Sequence, residues 1–211
     1  MRLATTLCFT LLPCLSSAEQ DFGQWVQTNL GPGTDFSYAG QWVANDGHVF
    51  GIGPLTLFGA NRAPISVPTT EAAVIGLNQA DPDERTAILA LVWSDAPFVC
   101  GQDAGFIGVD TGLAAFATAS EIAALEKYAR DHGDLYAGTY AEQIDSLYPG
   151  PFLAELPDGT RLPLSGSGWG DGGYPVTALF DADGDMIALF AQFITAGDDW
   201  LTPPTCTKRI S

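Results

Sequence analysis

The chain has 211 residues, of which 46% are hydrophobic, and this composition allows a well-packed core and excludes a wholly disordered chain. Eight Lys and Arg residues stand against 25 Asp and Glu residues, so the net charge of −17 argues against nucleic acid or an anionic membrane surface as a partner. The 24 Gly and 14 Pro residues predict many turns and few long helices.

Residues 1–18 have the pattern of a signal peptide. Arg2 precedes an apolar run, and Ser16 and Ala18 provide the small residues of a cleavage site. The apolar run is shorter than the roughly 20 residues that a membrane span needs. We therefore expect an exported protein, periplasmic or secreted, that is cleaved after Ala18, with lipidation at Cys14 as the alternative.

Removal of this leader would leave Cys100 and Cys206 as the cysteines of the mature chain. Two cysteines in an exported protein are expected to form a disulfide bond. This bond would hold the Pro-containing C-terminal segment, residues 202–206, against the body of the protein. A redox function would be indicated by a Cys-x-x-Cys pair, and the sequence contains none. We therefore predict a structural disulfide.

The first half of the mature chain has mainly β patterns. Residues 19–39 predict a short helix or an extended arm followed by a turn, and the segments around Asp46-Gly47 predict a β-hairpin. Further strands are predicted where apolar runs are bounded by Gly, Pro, Asn or Asp, at residues 55–58, 73–77, 86–93 and 105–109.

Two short helices are predicted between about residues 118 and 148. The capping-box pattern occurs twice, as Thr118 with Glu121 and as Thr139 with Glu142, and apolar residues follow each pair at helical spacing.

The last third returns to strands, in two predicted hairpins. Residues 153–156 and 161–164 flank a Pro-Asp-Gly turn, and residues 176–180 and 186–193 flank a turn at Asp183-Gly184. The 186–193 strand is apolar on both faces, which predicts a central position in a covered sheet.

Together these patterns predict an α+β fold with a single domain, mainly antiparallel β-sheet with two short helices. Residues 19–54 form an N-terminal extension in this prediction, and the domain comprises residues 55–211.

The Gly- and Ser-rich segment 165–175 is the least usual part of the sequence. Trp169 and Tyr174 can anchor such a loop, and Asp171 lies between glycines. One interpretation is a binding loop formed by Trp169, Asp171 and Tyr174. The other is a tight turn in which Asp171 accepts hydrogen bonds from the backbone.

Two glycine turns, Ser167-Gly168-Trp169-Gly170-Asp171-Gly172 and Val109-Asp110-Thr111-Gly112, resemble the signature segments of the domain-of-unknown-function 4241 family. The resemblance extends over about residues 55–195, and Ala115 occupies the place of a cysteine that is frequent in the family. It implies one compact domain, and because the family is uncharacterised it implies no activity.

Asp110-Thr111-Gly112 also matches the loop of aspartic proteases, in which two carboxylates share a proton and activate water. The second carboxylate of such a hydrolase would come from a second copy of the chain in a dimer, or from Asp171. A protease loop continues into a strand, whereas a helix cap is predicted soon after Gly112, and this difference argues against a protease.

Three aspartates have the alternate spacing of a calcium loop: Asp181, Asp183 and Asp185. Met186 and Gln192 occupy the places of the loop's Gly and bidentate Glu, so we predict a hairpin tip and leave weak calcium binding open. His48 and His132 are remote from other ligand residues. No metal centre and no cofactor are predicted.

These observations predict an exported acidic binding or interaction module without catalysis, which presents Trp169, Asp171 and Asp110 to its partner. The acidity suits a basic protein partner. One alternative is a hydrolase that uses Asp110 and Asp171 as paired carboxylates, and another is a structural domain in which the two motifs only close turns.

Overall fold

The computed structural model describes residues 20–31, 34–79, 85–195 and 199–207. The predicted signal peptide and Cys14 lie outside these ranges. The helices are α1 (Phe22–Leu30), α2 (Ala119–His132) and α3 (Gly138–Leu147). The strands are β1 (Thr34–Val43), β2 (His48–Ile52), β3 (Ile65–Ser66), β4 (Glu71–Gln79), β5 (Arg85–Val92), β6 (Cys100–Val109), β7 (Leu113–Ala117), β8 (Phe152–Glu155), β9 (Arg161–Gly166), β10 (Gly172–Phe180) and β11 (Met186–Gln192).

In the described residues the strands form two antiparallel sheets, which confirms the predicted α+β class. One sheet has the order β1-β4-β5-β11-β10-β6 and the other the order β3-β2-β7-β9-β8. β11 lies between β5 and β10, as its two apolar faces predicted. The two sheets pack face to face around a shared core.

Period-two alternation explains the layers. In β5, Leu89 and Leu91 face the second sheet, while Ile88 and Ala90 face outward against α1. The outer face of the second sheet is covered in the same way by α2 and α3. The order of layers is therefore α1, six-stranded sheet, five-stranded sheet, and α2 with α3.

Residues 20–54, predicted as an extension, contribute to both sheets. The Asp46-Gly47 turn is present, with Gly47 N–H donating to the Ala44 carbonyl. The predicted hairpin is wrong, however, because β1 pairs with β4 while β2 pairs with β3 and β7. Trp42 and Val49 on either side of the turn both enter the core between the sheets, so the chain crosses from one sheet to the other.

The strand predicted at residues 55–58 is also wrong, because this segment forms consecutive turns. Leu57 has a positive φ of 58°, and the Gly53 N–H donates to the Phe58 carbonyl across the turn. The backbone bonds of the segment are thus local, and no strand of the described residues pairs with its length.

The first predicted capping box is confirmed at α2. Thr118 accepts from the Glu121 N–H, and Glu121 accepts from the Thr118 N–H. The second is wrong, because α3 begins at Gly138 after Ala137, and the side chain of Ala137 makes no capping bond. None of the helices in the described ranges has the length and apolarity needed to cross a membrane.

The predicted disulfide between Cys100 and Cys206 is present. It joins the start of β6 to the C-terminal segment, which also pairs with the backbone of β6. Gly101 N–H donates to the Pro204 carbonyl at 2.8 Å, and Cys206 N–H donates to the Gly101 carbonyl at 3.2 Å. The segment thereby covers the free edge of β6 at Gly101.

Candidate functional site

The two glycine turns singled out in the sequence lie against each other. The turn after β6 contains Gly112, and the turn after β9 contains Ser167 and Asp171. Ser167 N–H donates to the Gly112 carbonyl at 3.0 Å, and Gly112 N–H donates to Asp171 Oδ1 at 3.0 Å. The pairing of Val109 with Gly172 places both turns at the same end of the six-stranded sheet.

Each of the two candidate carboxylates binds a neighbouring turn. Asp171 holds the Gly112 amide, and Asp110 Oδ1 accepts a hydrogen bond from Thr56 Oγ1 at 2.7 Å. Both side chains are exposed. A strand, β7, follows Gly112 directly, so the expectation that a helix cap distinguishes this loop from a protease loop is wrong.

Trp169 and Tyr174 have very different surroundings. Trp169 is 66% exposed, and the Arg85 guanidinium lies 4.5 Å from its ring centroid. Tyr174 is buried, and its hydroxyl donates to the Gly170 carbonyl at 2.8 Å. Burial raises the pKa of Tyr174; the hydrogen bond with Ser167 opposes this change, and the charge of Asp171 adds to it.

The aspartates of the 181–185 turn bind the turn itself. Asp181 Oδ1 accepts from the N–H groups of Asp183 and Asp185, at 3.0 and 2.9 Å. Across the part of the chain that the structure describes, no three His, Cys, Asp or Glu side chains are grouped as a metal site requires. His132 lies at the end of α2, where its Nδ1 is 3.0 Å from the Tyr128 carbonyl and its ring stacks on that tyrosine.

A groove of about 920 Å³ opens at another part of the surface, between the edge of β6 and the segment 62–68. It lies at the open side of the sandwich, since β6 and β3 are the outer strands of their sheets. Apolar side chains provide much of its lining: Ile65, Val67, Ala178, Phe180 and Met186.

Three charged side chains also line this groove. Arg62 lies beside Phe106 near one end of the exposed β6 segment, while Asp185 lies beside Phe180 near the other. Asp103 lies between them along β6. A bulge at Ala104 shifts the register of this strand against β10, which is a frequent feature of protected edges and of sites.

Sequence reasoning did not find this groove, because its walls come from segments distant in the chain. One signal was present: between Arg2 and Arg85, Arg62 is the only Lys or Arg residue. An isolated cation in such an acidic stretch is unusual, but its meaning depends on its neighbours in the fold.

No family model, curated protein or solved structure matches this chain. The resemblance of the two glycine turns to the domain-of-unknown-function 4241 family therefore stays a prediction.

Proposed function

We propose that this protein is a binding module that takes a ligand in the groove between β6 and the segment 62–68. The observation that supports this proposal is the groove itself, about 920 Å³ in volume, with a largely apolar lining and a few charged groups. Pockets for small molecules have this size and this mixture of apolar walls and placed polar groups.

A module without catalysis is supported by the hydrogen bonds of the two candidate carboxylates. Asp110 accepts a hydrogen bond from the Thr56 hydroxyl, and Asp171 accepts one from the Gly112 N–H, so each carboxylate stabilises a turn. Neither side chain lines the groove. The hydrolase alternative has one observation in its favour, since the exposed carboxylates lie on turns at the same end of a sheet. It remains the second proposal.

Export remains part of the proposal, with cleavage after Ala18. The disulfide between Cys100 and Cys206 supports it, because such bonds persist mainly in oxidising compartments. The net charge of −17 supports a basic protein as a further partner of the exposed surface.

The groove can be tested by filling it. Ala104 is half-buried beside the core and lines the groove, so Ala104→Trp places a large ring there. A library of small fragments with mixed charge is screened by amide chemical-shift changes. Hits on the natural protein should shift residues 102–106 and 65–67, and Ala104→Trp should abolish these shifts.

The matched control is Ala123→Trp on the exposed side of α2, which should leave the hits unchanged. Fragments that shift the turns of Asp110 and Asp171 in preference to the groove would favour the hydrolase proposal. An absence of hits at residues 102–106 would contradict the binding site.

A further inference from the structure

Arg62 is held between two aromatic rings at the groove. Its guanidinium carbon lies 3.9 Å from the ring centroid of Phe106 and 5.4 Å from that of Phe58. One nitrogen, Nη1, donates to the Phe106 carbonyl at 3.2 Å. The two rings and this hydrogen bond restrict the position of the guanidinium, and they leave further N–H donors at its edge.

Arg62 has no carboxylate partner among the described residues, although the chain has 25 acidic residues. The cationic side chains of α2, in contrast, have acidic partners: Lys127 pairs with Asp131, and Arg130 lies near Glu126. A guanidinium that lies over two rings and that the described acidic residues leave unpaired is well placed to receive an acid from outside the chain.

The surroundings of Arg62 are built to hold it there. A side chain at Gly108 would collide with the Phe58 ring and would lie 3.1 Å from Arg62 Nη2, so the glycine admits both groups. The turn that carries Phe58 is held by the Thr56 hydroxyl, which donates to Asp110 at 2.7 Å. This gives Asp110 a positioning function for the Arg62 site.

Apart from Asp103, whose Oδ1 accepts a hydrogen bond from the Gly105 N–H at 2.8 Å, the rest of the groove is suited to an apolar body. Between Gln102 and Phe106 the β6 edge is roughly 13 Å long, at the usual rise per residue of a strand. Phe180 and Met186 lie towards the end away from Arg62, and Asp185 is beside them. This carboxylate would repel a second acid on the same ligand.

We propose that the ligand of this groove is a small organic acid with one carboxylate and an apolar body. The carboxylate pairs with the Arg62 guanidinium, and the body lies along the apolar lining towards Phe180. This inference rests on the proposed function and adds the chemical class of the ligand. The high negative charge of the molecule further disfavours ligands with several carboxylates.

The test compares four probes with the same chain: decanoate, decan-1-ol, decylamine and decanedioate. Titration calorimetry on the natural protein should give the tightest binding for decanoate. Arg62→Gln should weaken decanoate binding about 10-fold to 100-fold, as expected for a lost charge-assisted pair, and should leave decan-1-ol unchanged. Arg130→Gln on α2 is the control and should change neither.

Arg62→Lys serves as a second variant that keeps the charge but not the planar donors, and it should weaken decanoate several-fold. Equal affinity of the acid and the alcohol, or decanoate binding that survives Arg62→Gln, overturns the carboxylate inference. If Ala104→Trp still abolishes the binding of both decanoate and decan-1-ol, the groove remains a binding site although the carboxylate inference fails. If none of the four probes binds, the inference is also overturned. The fragment screen tests independently whether the groove binds ligands.

Discussion

At the scale of single residues, the glycines of the 167–172 turn have distinct reasons to be glycine. Gly168 has a φ of +62° and faces packed atoms: an added Cβ would lie 2.8 Å from Ile194 Cγ1 and 3.1 Å from the Thr86 carbonyl. Gly170 has a φ of +99° but nothing within 4 Å of an added Cβ. Backbone conformation constrains both positions, and close packing constrains Gly168 alone.

This difference predicts unequal effects of the same substitution. Gly170→Ala should lower the free energy of unfolding by about 1–2 kcal/mol, the cost of a left-handed conformation for an L-residue. Gly168→Ala should cost about 1–3 kcal/mol more, because the methyl group also overpacks the core. Urea denaturation of both variants measures the difference, and equal losses would contradict the packing argument.

At the scale of elements, a buried hydrogen-bonded group joins three of them. Trp42 on β1 donates from Nε1 to Glu121 at 2.8 Å and to the Arg161 carbonyl of β9 at 3.1 Å. Glu121 also accepts from the Thr118 N–H as part of the α2 cap. Burial raises the pKa of Glu121 to about 7 against these hydrogen bonds, and the charge of Asp46 adds to the rise.

A raised carboxyl pKa makes stability depend on pH with a definite sign. Between the ordinary pKa of 4.5 and about 7, the folded state binds more protons than the unfolded state, so stability falls as pH rises. The contribution is fully present below pH 4.5 and is lost above about pH 7. Its size is on the order of 3 kcal/mol.

Glu121→Gln should remove this part of the pH dependence while keeping a residue suited to the capping box. The measurement is the free energy of urea unfolding at pH 4.5 and pH 8. Glu126→Gln, at an exposed position of α2, should retain the natural difference. An unchanged difference in Glu121→Gln would show that other groups cause it.

At the scale of the whole molecule, the disulfide closes about half of the chain into one loop. Cys100 and Cys206 are 106 residues apart, and the loop contains strands of both sheets. It also fixes the C-terminal segment on the edge of β6 beside the groove, through Gly101.

Removal of this bond should therefore have a large effect on stability. The chain-entropy model gives about 4–5 kcal/mol for a loop of this length. We expect Cys100→Ala with Cys206→Ala to lose this amount in urea denaturation, and reduction of the natural protein to lose a similar amount. A loss below about 1 kcal/mol would contradict the entropic account.

The sequence by itself determined the features that depend on neighbours a few residues apart. The Asp46-Gly47 turn, the α2 cap at Thr118 and the two final hairpins follow from local backbone preferences, and β11 follows from its two apolar faces. The disulfide pairing followed from the small number of cysteines left after the predicted cleavage.

The tertiary structure alone decided how strands that are distant in the chain pair and where the groove opens. Local preference places a turn at Gly47 but does not state whether the next strand joins the same sheet, since that depends on where Trp42 and Val49 are buried. The surroundings of Arg62 depend on Phe106, which is 44 residues away, and on the space left by Gly108, which has no side chain. Such contacts arise only when distant segments pack, because their energies depend on separation in space and not along the chain.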